Sequence, residues 1–134
     1  MLRKRIGPIL AAASLAAAGV LVLEAPAQAA SSHAIVKTSG TRAGEVWFNR
    51  ADGSHGNNAW FDLYDAKCDA EPVYVYWKYV TSGVSKWYTD VNDGGCNTTA
   101  GFNLKSGSFT IEYKVCVDDG IFSDTCSGTV RDRN

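Results

Sequence analysis

The chain has little of what most enzymes and metalloproteins are built from. Two histidines, His33 and His55, and one methionine occur in 134 residues, and the four cysteines never form a Cys-x-x-Cys pair. Spacing of that kind is no zinc signature, and no metal or cofactor site is expected. No segment keeps a helical period, which argues against a helical bundle or an alternating α/β fold. Internal repeats, which would speak for a structural envelope protein, are missing. There is no basic field to hold nucleic acid or anionic lipid, because the residues after the leader described below carry about 10 Lys and Arg against about 13 Asp and Glu.

What is present begins with export chemistry. Arg3, Lys4 and Arg5 precede an apolar run from Ile6 to Leu23 interrupted only by Ser14. Glu24 and Pro26 follow, and Ala27-Gln28-Ala29 offers the small residues a signal peptidase accepts. The pattern predicts a cleaved signal peptide over 1–29, a mature chain starting at Ala30, and a protein secreted to the extracellular medium with no membrane contact after cleavage. Ala25-Pro26-Ala27 is a competing cleavage site. Residues 30–43 are small and polar and read as a flexible N-terminal segment or a short edge strand.

Residues 44–134 have the length of one domain. Strand-type runs recur at Glu45 to Phe48, Ala59 to Tyr64, Val73 to Val80, Ser85 to Val91, Phe102 to Leu104, Ser108 to Val117 and Thr125 to Arg131. In one of them Phe109, Ile111, Tyr113, Val115 and Val117 alternate with Thr110, Glu112, Lys114 and Cys116. That is a half-buried strand whose apolar face must meet a second sheet. The fold expected is all-β, a single small antiparallel β-sandwich of Ig-like general architecture, and a monomer.

Thr81-Ser82-Gly83 suits a three-residue hairpin loop with glycine in the left-handed position. The register it sets puts Trp77 opposite Trp87 and Tyr76 opposite Tyr88, and at the hairpin base it brings Cys68 opposite Cys96. Cys116 and Cys126 are symmetric about the bend at Asp119 to Phe122. Four cysteines in an exported chain read as two disulfides, here Cys68 with Cys96 and Cys116 with Cys126.

Polar residues that could carry chemistry sit mostly in turns. Asp52, Ser54 and His55 spell a triad, but neighbours in a Gly- and Asn-rich loop are expected to build a turn. Asp90-Val91-Asn92-Asp93-Gly94 is oxygen-rich like a calcium loop, yet Gly101 stands where an EF-hand needs glutamate. Irregular calcium sites from Asp90, Asn92 and Asp93, or from Asp118 and Asp119, are the residual metal option. Asn97-Thr98-Thr99 matches a glycosylation acceptor by a pattern short enough to arise by chance.

The aromatic residues are the better lead. With Trp77 and Trp87 pointing inward beside Val73 and Val75, parity puts Tyr74, Tyr76 and Tyr88 outward with Lys78 and Lys86. These five residues are the candidate binding surface, a stripe able to stack on sugars or anchor a protein.

Trp60-Phe61-Asp62 with Cys68-Asp69, Val73-Tyr74-Val75, Gly95-Cys96, the run Phe109 to Cys116 and Asp124-Thr125-Cys126-Ser127 together resemble small secreted two-disulfide proteins of streptomycetes and related actinomycetes. The resemblance covers nearly all of the mature chain and implies export, a β fold and paired cysteines. It adds no activity. Trp77-Lys78-Tyr79 between Cys68 and Cys96 is faintly similar to the Trp-Arg-Tyr motif of the proteinaceous α-amylase inhibitors, but lysine replaces arginine and the cysteine spacings differ, so no residue role is carried over.

The function expected is that of a non-catalytic interaction module outside the cell, binding a polysaccharide or an extracellular protein. The alternatives are a carboxylate-dependent hydrolase using a pair among Asp62, Asp65, Asp69 and Glu71, and a structural envelope protein.

Overall fold

The structure, a computed structural model, describes residues 32–134. The leader and the mature start at Ala30 lie outside the described residues. The strands are β1 (Ser32–Thr38), β2 (Thr41–Asn49), β3 (Trp60–Asp65), β4 (Val73–Tyr79), β5 (Tyr88–Val91), β6 (Thr99–Asn103), β7 (Thr110–Val117), β8 (Thr125–Cys126) and β9 (Val130–Arg133). They form two antiparallel sheets packed against each other. One runs β1-β2-β3-β6, and the other β5-β4-β7, with β8 and β9 sharing the far edge of β7. The domain is the all-β sandwich that the alternation in β7 calls for.

Parity decides which residues form the core. Ile111, Tyr113, Val115 and Val117 of β7 are fully buried, while Thr110, Glu112 and Lys114 between them are only half-buried. Val73, Val75 and Trp77 of β4 are buried in the same way. From the facing sheet come Val46 and Phe48 of β2 with Phe61 and Leu63 of β3. The sheets meet through aromatic rings: Phe61 lies 5.1 Å from Tyr113 and 6.0 Å from Trp77, and Phe48 lies 6.2 Å from Phe109. Each such pair contributes roughly 0.5–1.5 kcal/mol beyond its buried area. Burial pushes the Tyr113 phenol up to about 12, despite a 2.6 Å hydrogen bond with the Ser32 hydroxyl.

Close approach requires glycine at one point. A Cβ on Gly44 of β2 would sit 2.5 Å from Cγ1 of Val73 on β4, so only a bare backbone fits where the two sheets converge. Nearby, Asn92 joins the sheets through hydrogen bonds. Its side-chain amide donates to the Leu63 carbonyl of β3 (3.1 Å) and the Thr98 carbonyl (2.9 Å), while its backbone N–H donates to Val73 of β4 (2.9 Å).

Both disulfides are present as expected, Cys68–Cys96 and Cys116–Cys126, enclosing 28 and 10 residues of separation. On the chain-entropy model they contribute roughly 3.6 and 2.7 kcal/mol. Cys116 and Cys126 are direct cross-strand partners. Cys68 and Cys96 lie in the β3–β4 and β5–β6 loops, beyond the paired strands.

Of the two readings of the N-terminal segment, the edge strand is the one seen: Ser32–Thr38 pairs with β2 through a two-residue turn, with Ser39 and Gly40 both left-handed (φ 51 and 76), the geometry that matches strand twist. Two expectations are corrected. The strand expected at Thr125 to Arg131 is broken into β8 and β9. Most consequential is the β4–β5 hairpin, where Gly83 does not take the left-handed conformation and Val80 to Trp87 form a long loop. The register slips by one residue, pairing Trp77 with Tyr88 and Tyr76 with Thr89. A slip of one exchanges the faces of β5, so Tyr88 points inward and Trp87 outward.

This partition predicts a large contrast in stability. Trp77 is 8% exposed and donates its indole N–H to Asp90 (2.8 Å), so Trp77→Ala is expected to cost about 3–5 kcal/mol. Tyr76→Ala, on the outer face of the same strand, is expected to cost about 1 kcal/mol. Denaturant melts compare the two; equal losses would contradict the assignment of faces.

Candidate functional site

The outer face of the five-stranded sheet collects the alternate residues of β4, β7, β5 and β9. Tyr74, Tyr76 and Lys78 of β4 sit beside Cys116, Lys114 and Glu112 of β7 respectively. On the other side Val91 and Thr89 of β5 flank Tyr74 and Tyr76. Trp87 precedes β5 by one residue, which places it diagonal to Tyr76. The two rings stack in parallel, with centroids 4.5 Å apart and planes within 5°. Lys78 Nζ lies 4.6 Å from the Trp87 centroid and Lys114 Nζ 5.4 Å from that of Tyr76, each interaction worth about 0.5–1 kcal/mol at an exposed site. Glu112 neutralises this end, pairing with Lys78 (3.1 Å) and Arg131 (3.2 Å).

The opposite end of the face is concave. Tyr74, Tyr76, Thr89, Val91, Lys114, Asp118, Asp124 and Cys126 line an open hollow of about 390 Å³. Tyr74 and Tyr76 supply the aromatic surface, and the Cys116–Cys126 disulfide forms one wall. The carboxylates come from the β7–β8 loop, whose two ends that disulfide ties together. Tyr74 Oη donates a short hydrogen bond to Asp124 Oδ2. Burial raises the Tyr74 phenol well above its ordinary value, and the Asp124 carboxylate raises it further.

Of the five residues expected to form the stripe, Tyr74, Tyr76 and Lys78 are brought together on this face. Tyr88 and Lys86 are not. Tyr88 stacks on Trp77 (4.7 Å) at the sheet edge, on the inner side, and Lys86 Nζ lies 5.2 Å from the Tyr88 ring. In their place the face holds Trp87, Lys114, Asp118 and Asp124. Lys114 was legible from the alternation of β7, but Trp87 depended on the hairpin register and Asp124 is 50 residues from Tyr74 in sequence.

The triad letters do converge, contrary to expectation, but in the wrong order for catalysis. Ser54 Oγ donates to Asp52 Oδ1 (2.5 Å) and lies 2.8 Å from His55 Nδ1. The Ser54 proton is directed at Asp52 and not at His55, the reverse of the serine-to-histidine transfer a triad needs. The two hydrogen bonds from Ser54 hold the Asp52 carboxyl below its ordinary value.

Among the hydrolase candidates, Asp65, Asp69 and Glu71 share a second hollow, of about 450 Å³, around the Cys68–Cys96 disulfide, while Asp62 lies elsewhere, on the four-stranded sheet. Asp65 and Asp69 shape the loop: Asp65 accepts from the Lys67 N–H (3.1 Å), and Asp69 accepts from the Glu71 N–H (3.1 Å) and pairs with Lys67 (3.2 Å). In the calcium-like segment, Asp90 and Asn92 each have a side-chain oxygen engaged within the fold. Asp90 accepts from Trp77, and Asn92 Oδ1 accepts from the Gly94 N–H (2.9 Å) and from Thr98 Oγ1 (3.2 Å). Among the described residues no group of three or more His, Cys, Asp and Glu could hold a metal ion. Asn97, left-handed at φ 59, serves a turn by donating its N–H to Asp65 (2.7 Å).

Comparison of the chain with family models, with curated proteins and with solved structures finds no match in any of the three.

The Tyr74 contact predicts a pH signature. A phenol whose pKa is raised by folding stabilises the fold below pH 10 and loses that contribution as pH rises through the folded value. In Asp124→Asn the Tyr74 titration should move down toward pH 10, as read by a spectrophotometric phenolate titration against wild type. An unchanged titration would contradict the role assigned to Asp124.

Proposed function

We propose that the domain is an exported, non-catalytic binding module that holds a glycan on the outer face of its five-stranded sheet. The observation that carries this reading is the hollow beside Tyr74 and Tyr76. Sugar rings offer apolar C–H faces to aromatic rings and hydroxyls to carboxylates and amines, and the hollow supplies both kinds of group. Its volume lies within the roughly 300–1,000 Å³ common for ligand sites. One cation, Lys114, faces two carboxylates, Asp118 and Asp124, a balance that disfavours phosphate and nucleic acid. Export is supported by the leader pattern and by the two disulfides, which suit an oxidising compartment. No helix among the described residues is long and apolar enough to cross a membrane.

One observation favours a protein ligand as the second reading. Ile121 and Phe122, at the tip of the disulfide-closed β7–β8 loop, are 94% and 74% exposed. A stiffened loop presenting two large apolar side chains is a form of anchor used at protein interfaces.

Calorimetric titration with soluble chitin, starch and cell-wall oligosaccharides tests the glycan reading. Binding of at least one class is expected, weakened about tenfold or more in Tyr76→Ala, the change that corresponds to about 1.4 kcal/mol. Binding whose affinity and stoichiometry are both unchanged in Tyr76→Ala and Tyr74→Ala would overturn this location. Loss of partner capture from culture filtrate in an Ile121→Ser, Phe122→Ser double variant, with no oligosaccharide bound, would favour the second reading.

A further inference from the structure

The other outer face of the sandwich is also aromatic. Phe61 and Leu63 point into the core, so Trp60, Asp62 and Tyr64 of β3 point out. Trp47 of β2 stands opposite Asp62, and on the other side of Asp62 stands Gly101 of the edge strand β6. Asp62 therefore lies at the centre of the face, with an indole on one flank and bare backbone on the other. Its Oδ2 accepts from Trp60 Nε1 (3.1 Å) and Asn49 Nδ2 (2.9 Å), which fixes the carboxylate. Its Oδ1 accepts no hydrogen bond among the described residues and faces the space over Gly101, where a Cβ would come within 3.8 Å of it.

The edge of this bed is held by backbone that L residues rarely adopt. His55, Gly56 and Asn57 are all left-handed (φ 52, 63 and 63), and that turn sets the His55 imidazole parallel to the Trp60 indole, 4.0 Å away. The stack lies over a sheet face that the sandwich core does not use, and His55 is exposed.

We infer that Trp47, Trp60 and Asp62, with the open bed over Gly101, form a second glycan site on the sheet opposite the first. The ligand class follows from charge and shape. The central charge is one carboxylate with a spare acceptor, while the neighbouring Arg42 and Glu45 neutralise each other (3.0 Å). Such a centre repels phosphate, sulfate and acidic polymers, and is satisfied by hydroxyl donors from a neutral sugar lying against an indole. The glycan class rests on the reading proposed above, but the site shares no residue with the Tyr74 hollow. Because the two faces lie on opposite sides of a sandwich, a domain with both occupied would bridge two polysaccharide chains.

The test is a titration of isotopically labelled full-length mature protein with chitohexaose and maltohexaose, following the indole N–H signals by NMR. Saturable shifts of Trp47 and Trp60 are expected with at least one of the two, and they should persist in Tyr76→Ala. That separates this site from the first: shifts at Trp47 and Trp60 in the wild type with none at Trp87 beside the Tyr74 hollow would sink the earlier location and leave this one standing. Gly101→Val places a side chain over the bed in ordinary contact and at an unstrained φ, so the fold should hold while the Trp60 response disappears. Asp62→Asn should weaken binding about tenfold or more by removing a charged acceptor. Unchanged Trp47 and Trp60 signals with both oligosaccharides would overturn the inference, as would full binding by Gly101→Val. Shifts at these indoles produced only by a protein from culture filtrate would assign the face to a protein partner instead.

Discussion

On β4 and β7 each side chain leaves the sheet opposite to its neighbour, and these two paired strands run through the middle of the five-stranded sheet. Their inner residues, Val73, Val75 and Trp77 with Ile111, Tyr113, Val115 and Val117, can be buried only against a second sheet, which the β1-β2-β3-β6 layer supplies. The same pleat forces Tyr74, Tyr76 and Lys78, with Lys114 and Glu112, onto the solvent side. The core and the candidate binding face are thus two consequences of one alternation, and neither can be moved without the other. A one-residue slip of register would bury lysines and expose valines, a cost that far exceeds the stability of a small domain.

The ends of the sandwich are held by different means. Near the β3–β4 turn the sheets are joined by the Cys68–Cys96 disulfide, by the close approach at Gly44 and by the Asn92 amide, whose donors and acceptor are all used. At the β7–β8 loop the Cys116–Cys126 bond ties together the two strands that lead into the tip. Within the loop it closes, Asp124 meets Tyr74 and Ile121 and Phe122 stand in solvent. Stiffness at the loop lowers the entropy lost when a ligand is held there.

The sequence made the sandwich, the Cys116–Cys126 disulfide and the outward course of Tyr74, Tyr76 and Lys78 legible, because each depends on local period or on a covalent rule; Cys68 and Cys96 do pair, but through loops and not through the hairpin register that pointed to them, which is off by one. It did not reveal where β5 begins. Thr81-Ser82-Gly83 has the composition of a tight turn, yet pairing starts only at Tyr88, and the slip exchanges Trp87 for Tyr88 on the outer face. For Ser32–Thr38 the composition left a flexible segment and an edge strand both open, because an edge strand with only Ala34 and Val36 buried carries little apolar signal. The meeting of Asp52, Ser54 and His55 turned on left-handed backbone at His55 and Asn57, which side-chain chemistry does not announce. The Trp60 to Tyr64 face was readable in principle, since Phe61 and Leu63 alternate with Trp60, Asp62 and Tyr64. Its bareness at Gly101 was not, because that depends on which strand lies alongside.

The four tryptophans divide unequally, with Trp77 in the core and Trp47, Trp60 and Trp87 on the two outer faces. Hydroxyl-radical footprinting of the folded, disulfide-intact protein, read by peptide mass spectrometry, measures that division directly. Oxidation of Trp47, Trp60 and Trp87 with protection of Trp77 is the predicted result. Protection of Trp87 equal to that of Trp77, or oxidation of Trp77 as fast as the others, would contradict it.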